Sequence, residues 1–96
     1  MLGLVEDLIK QKSITKKLDD NTLYKINIEL KNSKYNYSIV LHIKEYRNGD
    51  LNRNKTQIYN KFSKTKEDKD AAYILFDFTV DEINMMDDYD LQNFFI

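Results

Sequence analysis

His42 is the only imidazole in the chain, and no cysteine accompanies it. An imidazole beside a hydroxyl nucleophile and an orienting carboxylate could carry out acyl transfer. Ser33, Ser38 and Ser63 supply hydroxyls, but none lies in the G-x-S-x-G turn that lifts a nucleophile clear of its sheet. His42 stands between Leu41 and Ile43 in an alternating run, which predicts a strand histidine facing away from the core. The lack of cysteine excludes disulfides, thiol catalysis and thiolate-held zinc or iron–sulfur centres.

Metal and phosphate chemistry fares no better. Gly3 and Gly49 are the only glycines, too few to build a phosphate-cradling or dinucleotide loop. Asp50, Asn52 and Asn54 have the spacing of the first three ligands of a calcium loop. Lys55 then stands where that loop needs a glycine, and Lys61 where it needs a bidentate glutamate. Asp77, Asp81, Glu82, Asp87, Asp88 and Asp90 could hold magnesium only by converging, and their spacing selects no pair. They read as a solvated acidic face. No catalytic residue, cofactor or metal site is expected, so binding is the function class that remains.

Charge gives that class its content. Residues 10–66 carry fourteen Lys/Arg against five Asp/Glu, whereas residues 67–96 carry one Lys against nine acids. The formal net charge of −1 conceals this polarity. It implies either an internal electrostatic partnership or two faces offered to different partners. In the basic part, Arg47, Arg53, Lys55, Lys61, Lys64 and Lys66 are interleaved with Tyr46, Tyr59 and several asparagines. Cations can neutralise phosphates and tyrosines can stack on unpaired bases, so these six are the candidates for nucleic-acid binding. In the acidic part, Asp81, Glu82, Asp87, Asp88, Tyr89 and Asp90 are the candidates for meeting Lys/Arg on a partner protein. Acids would steer the encounter and a buried aromatic would supply affinity.

The elements that must position these residues follow from periodicity. Leu2, Val5, Leu8 and Ile9 have helical spacing, which predicts an N-terminal helix over 2–12. Asp19, Asp20 and Asn21 are turn formers. Tyr24, Ile26, Ile28 and Leu30 alternate with polar residues, as do Tyr35, Tyr37, Ile39, Leu41 and Ile43 apart from Val40, predicting a hairpin. Asn48-Gly49 predicts a type I′ turn, because both central positions need positive φ. Residues 50–62 then read as a polar edge strand, with a short helix at 56–62 as the alternative, and 63–70 as a solvated loop. Ala72, Ile74, Phe76, Phe78 and Val80 alternate, which predicts a central strand, followed by an acidic helical region capped by Thr79 or Asp81. The expected fold is a single α+β domain over 1–96. It has an N-terminal helix, an antiparallel sheet of three to four strands and a short acidic C-terminal helical region.

Three resemblances accompany this outline. A helix, three strands and a final helix resemble the double-stranded-RNA-binding domain in outline, although the region of its basic signature is acidic here. The run Asp88-Tyr89-Asp90-Leu91-Gln92-Asn93-Phe94-Phe95 is similar in spacing to a sliding-clamp-binding peptide, with Asp88 where that family has Gln. The spacing of Leu91, Phe94 and Phe95 equally suits a helix face packed on a core. In size, in its Lys-, Asn-, Ile- and Tyr-rich composition and in its acidic final segment, the chain resembles the small anti-CRISPR proteins of phages and mobile elements. That resemblance implies a non-enzymatic inhibitor that occludes the functional surface of a host nucleic-acid-handling or defence enzyme. It would act in the host cytoplasm, without a membrane, as a monomer or homodimer. A small nucleic-acid-binding regulator using the basic 46–66 region is the alternative.

Overall fold

The computed structural model describes residues 7–96. Four strands come first: β1 (Asp7–Lys17), β2 (Thr22–Asn32), β3 (Tyr37–Arg47) and β4 (Asp50–Phe62). They pair in chain order, each antiparallel to the next, as a meander. A long helix α1 (Lys66–Asn84), a short helix α2 (Asp88–Gln92) and a 3-10 turn at Asn93–Phe95 follow. The class is α+β, but the order is sheet first and helices last.

This corrects the expected N-terminal helix. Leu2 and Val5 lie outside the described residues, while Leu8 and Ile9 belong to β1. A helix of this length gains little in water by itself. Pairing with β2 gives the same residues a ladder that runs from Asp7↔Asn32 to Lys17↔Leu23, with one irregularity between Leu8 and Lys10. Ile14, the buried residue of β1, sits directly opposite Ile26. The outline shared with the double-stranded-RNA-binding domain lapses with the missing first helix.

The expected central strand at 72–80 is also corrected, since those residues lie within α1. Thr65 caps the helix, its hydroxyl accepting the Asp68 N–H at 3.2 Å. Asp68 reaches back to accept from the Ser63 N–H and hydroxyl at 3.0 and 2.6 Å. Those hydrogen bonds hold the Asp68 carboxyl below its ordinary range. Glu67 and Asp68 in the first turn also suit the positive end of the helix dipole. Ala72, Phe76, Thr79 and Ile83 form the buried stripe, at the i, i+4, i+7, i+11 spacing of one helix face. Helix formation therefore begins inside the segment expected to be a loop.

The predicted hairpins are present. Tyr24, Ile26, Ile28 and Leu30 on β2 face Glu45, Ile43, Leu41 and Ile39 on β3, and all eight are buried on the helix side of the sheet. Asn48 and Gly49 have φ of 52° and 85°, joining β3 and β4 as a two-residue turn closed by Arg47↔Asp50. A Cβ at Gly49 would meet nothing within 4 Å. Gly49→Ala should therefore cost only the backbone strain of a positive φ, about 1 kcal/mol, measured by urea unfolding. A neutral result would show that the turn can relax to another type.

Among the described residues the helices cover one face of the sheet, and no element covers the other, here called the open face. On the covered side, β1 lysines meet α1. Lys10 Nζ lies 3.2 Å from Asp77 Oδ1 and 5.2 Å from the Phe76 ring centre, and Lys16 donates to the Met86 carbonyl at 2.5 Å. Part of the charge polarity is thus an internal partnership between the first strand and the helix.

Candidate functional site

At one end of the covered face a charged cluster is built around a buried carboxylate, with its arginines reaching partly into solvent. Glu45 has no exposed surface, and its carboxylate accepts from Tyr24 Oη at 2.6 Å and Asn52 Nδ2 at 2.6 Å. Arg53 grips both oxygens, Nε at 3.1 Å and a terminal nitrogen at 2.7 Å. Arg47 Nε stands 3.5 Å away. The Arg53 hydrogen bonds lead the causes that hold Glu45 down at about 2 despite burial. Burial and the carboxylate push Tyr24 up to about 12. Phe95 closes the cluster, with the Arg53 guanidinium carbon 4.4 Å from its ring centre and the Tyr24 ring 6.3 Å away. Among the described residues no buried side-chain polar atom lacks a hydrogen-bond partner, and the cluster anchors the C-terminal segment through Phe95.

The six basic candidates do not form one patch. Arg53 is committed to Glu45, and Arg47 lies at the edge of the same cluster. Lys55 pairs with Ile43 and so lies on the helix side of β4. Lys64 donates to Asn32 and lies over the Tyr37 ring, Lys66 begins α1, and Lys61 alone faces the open side of the sheet. Sequence proximity in a hairpin divides residues between faces, which is why a run of cations did not translate into a surface.

The acidic candidates lie closer together, on the last turns of α1 and on α2. Asp81 and Glu82 are exposed on α1, and Glu82 accepts from the Tyr59 hydroxyl at 3.1 Å. Burial and that carboxylate raise Tyr59 above the ordinary tyrosine range. Asp87 and Asp90 form a reciprocal capping box at the start of α2, and Asp88 accepts from Gln92 at 2.8 Å. Tyr89 projects outward, 74% exposed. Leu91 is buried, and Phe94 and Phe95 pack against the core, so the clamp-peptide spacing serves packing here.

One feature of this region was absent from the sequence reading. Ile74, Phe78 and Met85 are 56%, 63% and 85% exposed and lie about half a turn from the buried stripe. Asp70, Asp77 and Asp81 flank them on one side and Glu82 on the other, by the same helical geometry. At its C-terminal end this stripe runs into an open groove of about 610 Å³. Met85, Met86 and Phe94 give the groove an apolar lining, while Glu82 and Asp90 supply carboxylates and Gln57 and Tyr59 form the β4 wall. A lysine or arginine side chain suits such a groove, its stem on methionine and phenylalanine and its cation at the acids. The signal was available: Ile74, Phe78 and Met85 repeat at i, i+4, i+11, but two apolar stripes overlaid on one helix imitate strand alternation.

On the open side, His42 bridges three strands. Its Nε2 lies 2.5 Å from Glu29 Oε1 and its Nδ1 lies 3.1 Å from Thr56 Oγ1. Hydroxyl, imidazole and carboxylate are thus in contact, which is the raw material of a relay. Acyl transfer also needs aimed donors for a developing oxyanion, and the two grooves flanking His42 are lined by strand residues and the β2–β3 turn, with no helix N-terminus. As a cross-strand polar ladder the arrangement fastens β2, β3 and β4 together. Among the described residues no group of three or more His, Cys, Asp or Glu could hold a metal ion, and no helix is long and apolar enough to cross a membrane. Comparisons with protein-family models, with curated proteins and with solved structures find no match.

Proposed function

We propose that this chain is a non-enzymatic protein-binding module whose α1 outer face receives a lysine- or arginine-bearing surface of a nucleic-acid-binding partner and, by covering it, blocks that surface. The observation that carries this reading is the second apolar stripe of α1 and its C-cap, Ile74, Phe78 and Met85, exposed and rimmed by carboxylates. A soluble helix normally buries its one apolar face and leaves the opposite face polar. Here the opposite face combines anchors that would release water on docking with acids that would steer a basic partner. Asp81, Glu82 and Asp90 contribute directly, while Asp87, Asp88 and Tyr89 extend the acidic rim along α2. Occlusion of a host nucleic-acid-handling or defence enzyme in the cytoplasm, the role implied by the anti-CRISPR resemblance, is the form of this activity that such a surface suits.

The test is a photo-crosslinking amino acid at position 78, used in the cells that make the protein. The expected result is a captured partner whose linked peptide is rich in Lys and Arg and whose capture is competed by duplex DNA. Asp81→Asn with Glu82→Gln should lower the yield at least about tenfold, the weight of two desolvated charge contacts. Unchanged capture in that variant, or linked peptides without basic residues, would overturn the proposal.

A further inference from the structure

The open face of the sheet breaks a local rule. Lys25 on β2 and Lys44 on β3 are direct cross-strand partners, both exposed. Like charges placed directly opposite destabilise a strand pair. Among the described residues, no carboxylate lies within ion-pair distance of either lysine, and the one recorded contact is Lys25 over the Tyr46 ring at 5.3 Å. The helix-side lysines Lys10 and Lys16 are treated oppositely, each given an acceptor from α1 or the residues just beyond it. A repulsive pair kept without an internal counter-charge is the kind of local conflict found where a ligand supplies the compensation.

The surroundings say what kind of anion. Lys25, Lys44 and Tyr46 line a groove with His42, and a second groove continues from His42 past Thr56 to Lys61. The two grooves form a path across this face, with cations at both ends, a phenol and an imidazole ring along it, and one carboxylate, Glu29, neutralised by Lys31 at 3.7 Å and held by His42. A phosphate between Lys25 and Lys44 would remove the repulsion. Successive bases could then lie on Tyr46 and His42, the combination by which unpaired strands are held. A duplex offers no base faces to such rings, and a lipid surface makes no use of them.

We infer that the open face of the sheet binds single-stranded nucleic acid, with Lys25 and Lys44 sharing a phosphate and Tyr46 stacking on an adjacent base. This site is distinct from the six basic residues singled out in the sequence, sharing only Lys61 with them. It lies on the opposite side of the molecule from the α1 surface and does not depend on that proposal.

The experiment is fluorescence anisotropy with a labelled oligo-dT and an oligo-U of about 15 nucleotides, in about 50 and about 200 mM salt. The wild-type protein should bind at the lower salt and weaken steeply at the higher. Lys25→Gln with Lys44→Gln should weaken binding at least tenfold and reduce the log–log salt slope by about 0.7, the weight of the one phosphate they share. Lys12→Gln with Lys34→Gln, which removes the same charge elsewhere, should change affinity less than about twofold, and Tyr46→Leu should lower it without altering the slope. The Lys44→Gln protein without ligand should melt higher, by on the order of 3 °C, because the repulsion is gone. Equal losses in both double variants, no binding at low salt, preference for a duplex, or binding to phosphatidylserine vesicles in place of oligonucleotides would each overturn the inference.

Discussion

Replacing Arg53 with alanine should destabilise the protein by about 3–4 kcal/mol at about pH 7, a large share of the roughly 5–14 kcal/mol expected of a domain this size. The cause is the charge left behind. Glu45 is fully buried, and Arg53 makes two of its four short hydrogen bonds. Removing one member of such a pair strands the other in a medium that solvates it poorly. The Arg53 aliphatic and guanidinium surface also supports Phe95, so the C-terminal turn should loosen in the same variant. Urea unfolding measures the loss, and a cost below about 1 kcal/mol would mean that water or Arg47 replaces Arg53 freely.

The same cluster fixes a pH dependence. The Glu45 carboxyl lies at about 2 in the folded protein, against 4.5 as its ordinary value. A lowered folded value means that the unfolded chain takes up the proton first as pH falls. The stabilisation is therefore complete above about pH 4.5 and is lost progressively down to about pH 2. A shift of this size corresponds to about 3 kcal/mol. Glu45→Gln should start less stable at neutral pH and show a flatter acid limb in circular dichroism. An acid limb as steep as the wild type's would place the responsible carboxylate elsewhere.

The second large effect separates two aromatics that are neighbours but one in the chain. Phe76→Ala should cost about 3–5 kcal/mol, because Phe76 is buried between α1 and the sheet and its removal leaves a cavity. Phe78→Ala should change stability by less than about 0.5 kcal/mol, since its ring is mostly in water. In a strand the two side chains would share a face and both substitutions would be costly. In a helix they are about 200° apart. Thermal melts of the two variants decide between these outcomes. With the photo-crosslinking amino acid moved to position 74 on the same stripe, Phe78→Ala should also abolish capture while leaving the fold intact, which ties the structural result to the proposed function.

The residues of β2 and β3 show what can be read without coordinates. Alternation from Tyr24 to Leu30 and, with Val40 as the exception, from Tyr37 to Ile43 suits a sheet with one covered face, and the strand period places Tyr24, Ile26, Ile28, Leu30, Ile39, Leu41 and Ile43 on one side. Asn48-Gly49 specifies its turn through backbone sterics alone. These features are local, so they survive in the sequence. The lack of cysteine and of glycine-rich loops likewise excludes whole chemistries without reference to the fold.

Segments 7–17 and 66–84 needed the tertiary structure. β1 is a strand because β2 offers it a ladder, and with Ile14 as its one buried residue its own run carries no alternation to announce it. α1 carries two apolar stripes on opposite sides, and their superposition reads as alternation until the chain is wound at 3.6 residues per turn. The two proposed binding surfaces share that dependence. Charge counts along the chain separate a basic part from an acidic part, but pleating sends Arg53 and Lys55 to the covered side and Lys25 and Lys44 to the open one. Residue types and spacing thus excluded thiol, thiolate-metal and glycine-loop chemistry and separated a basic from an acidic part, because composition and local motifs suffice for both. Which residues meet a partner was decided by folding, since only pairing and winding determine which side of the backbone each charge occupies.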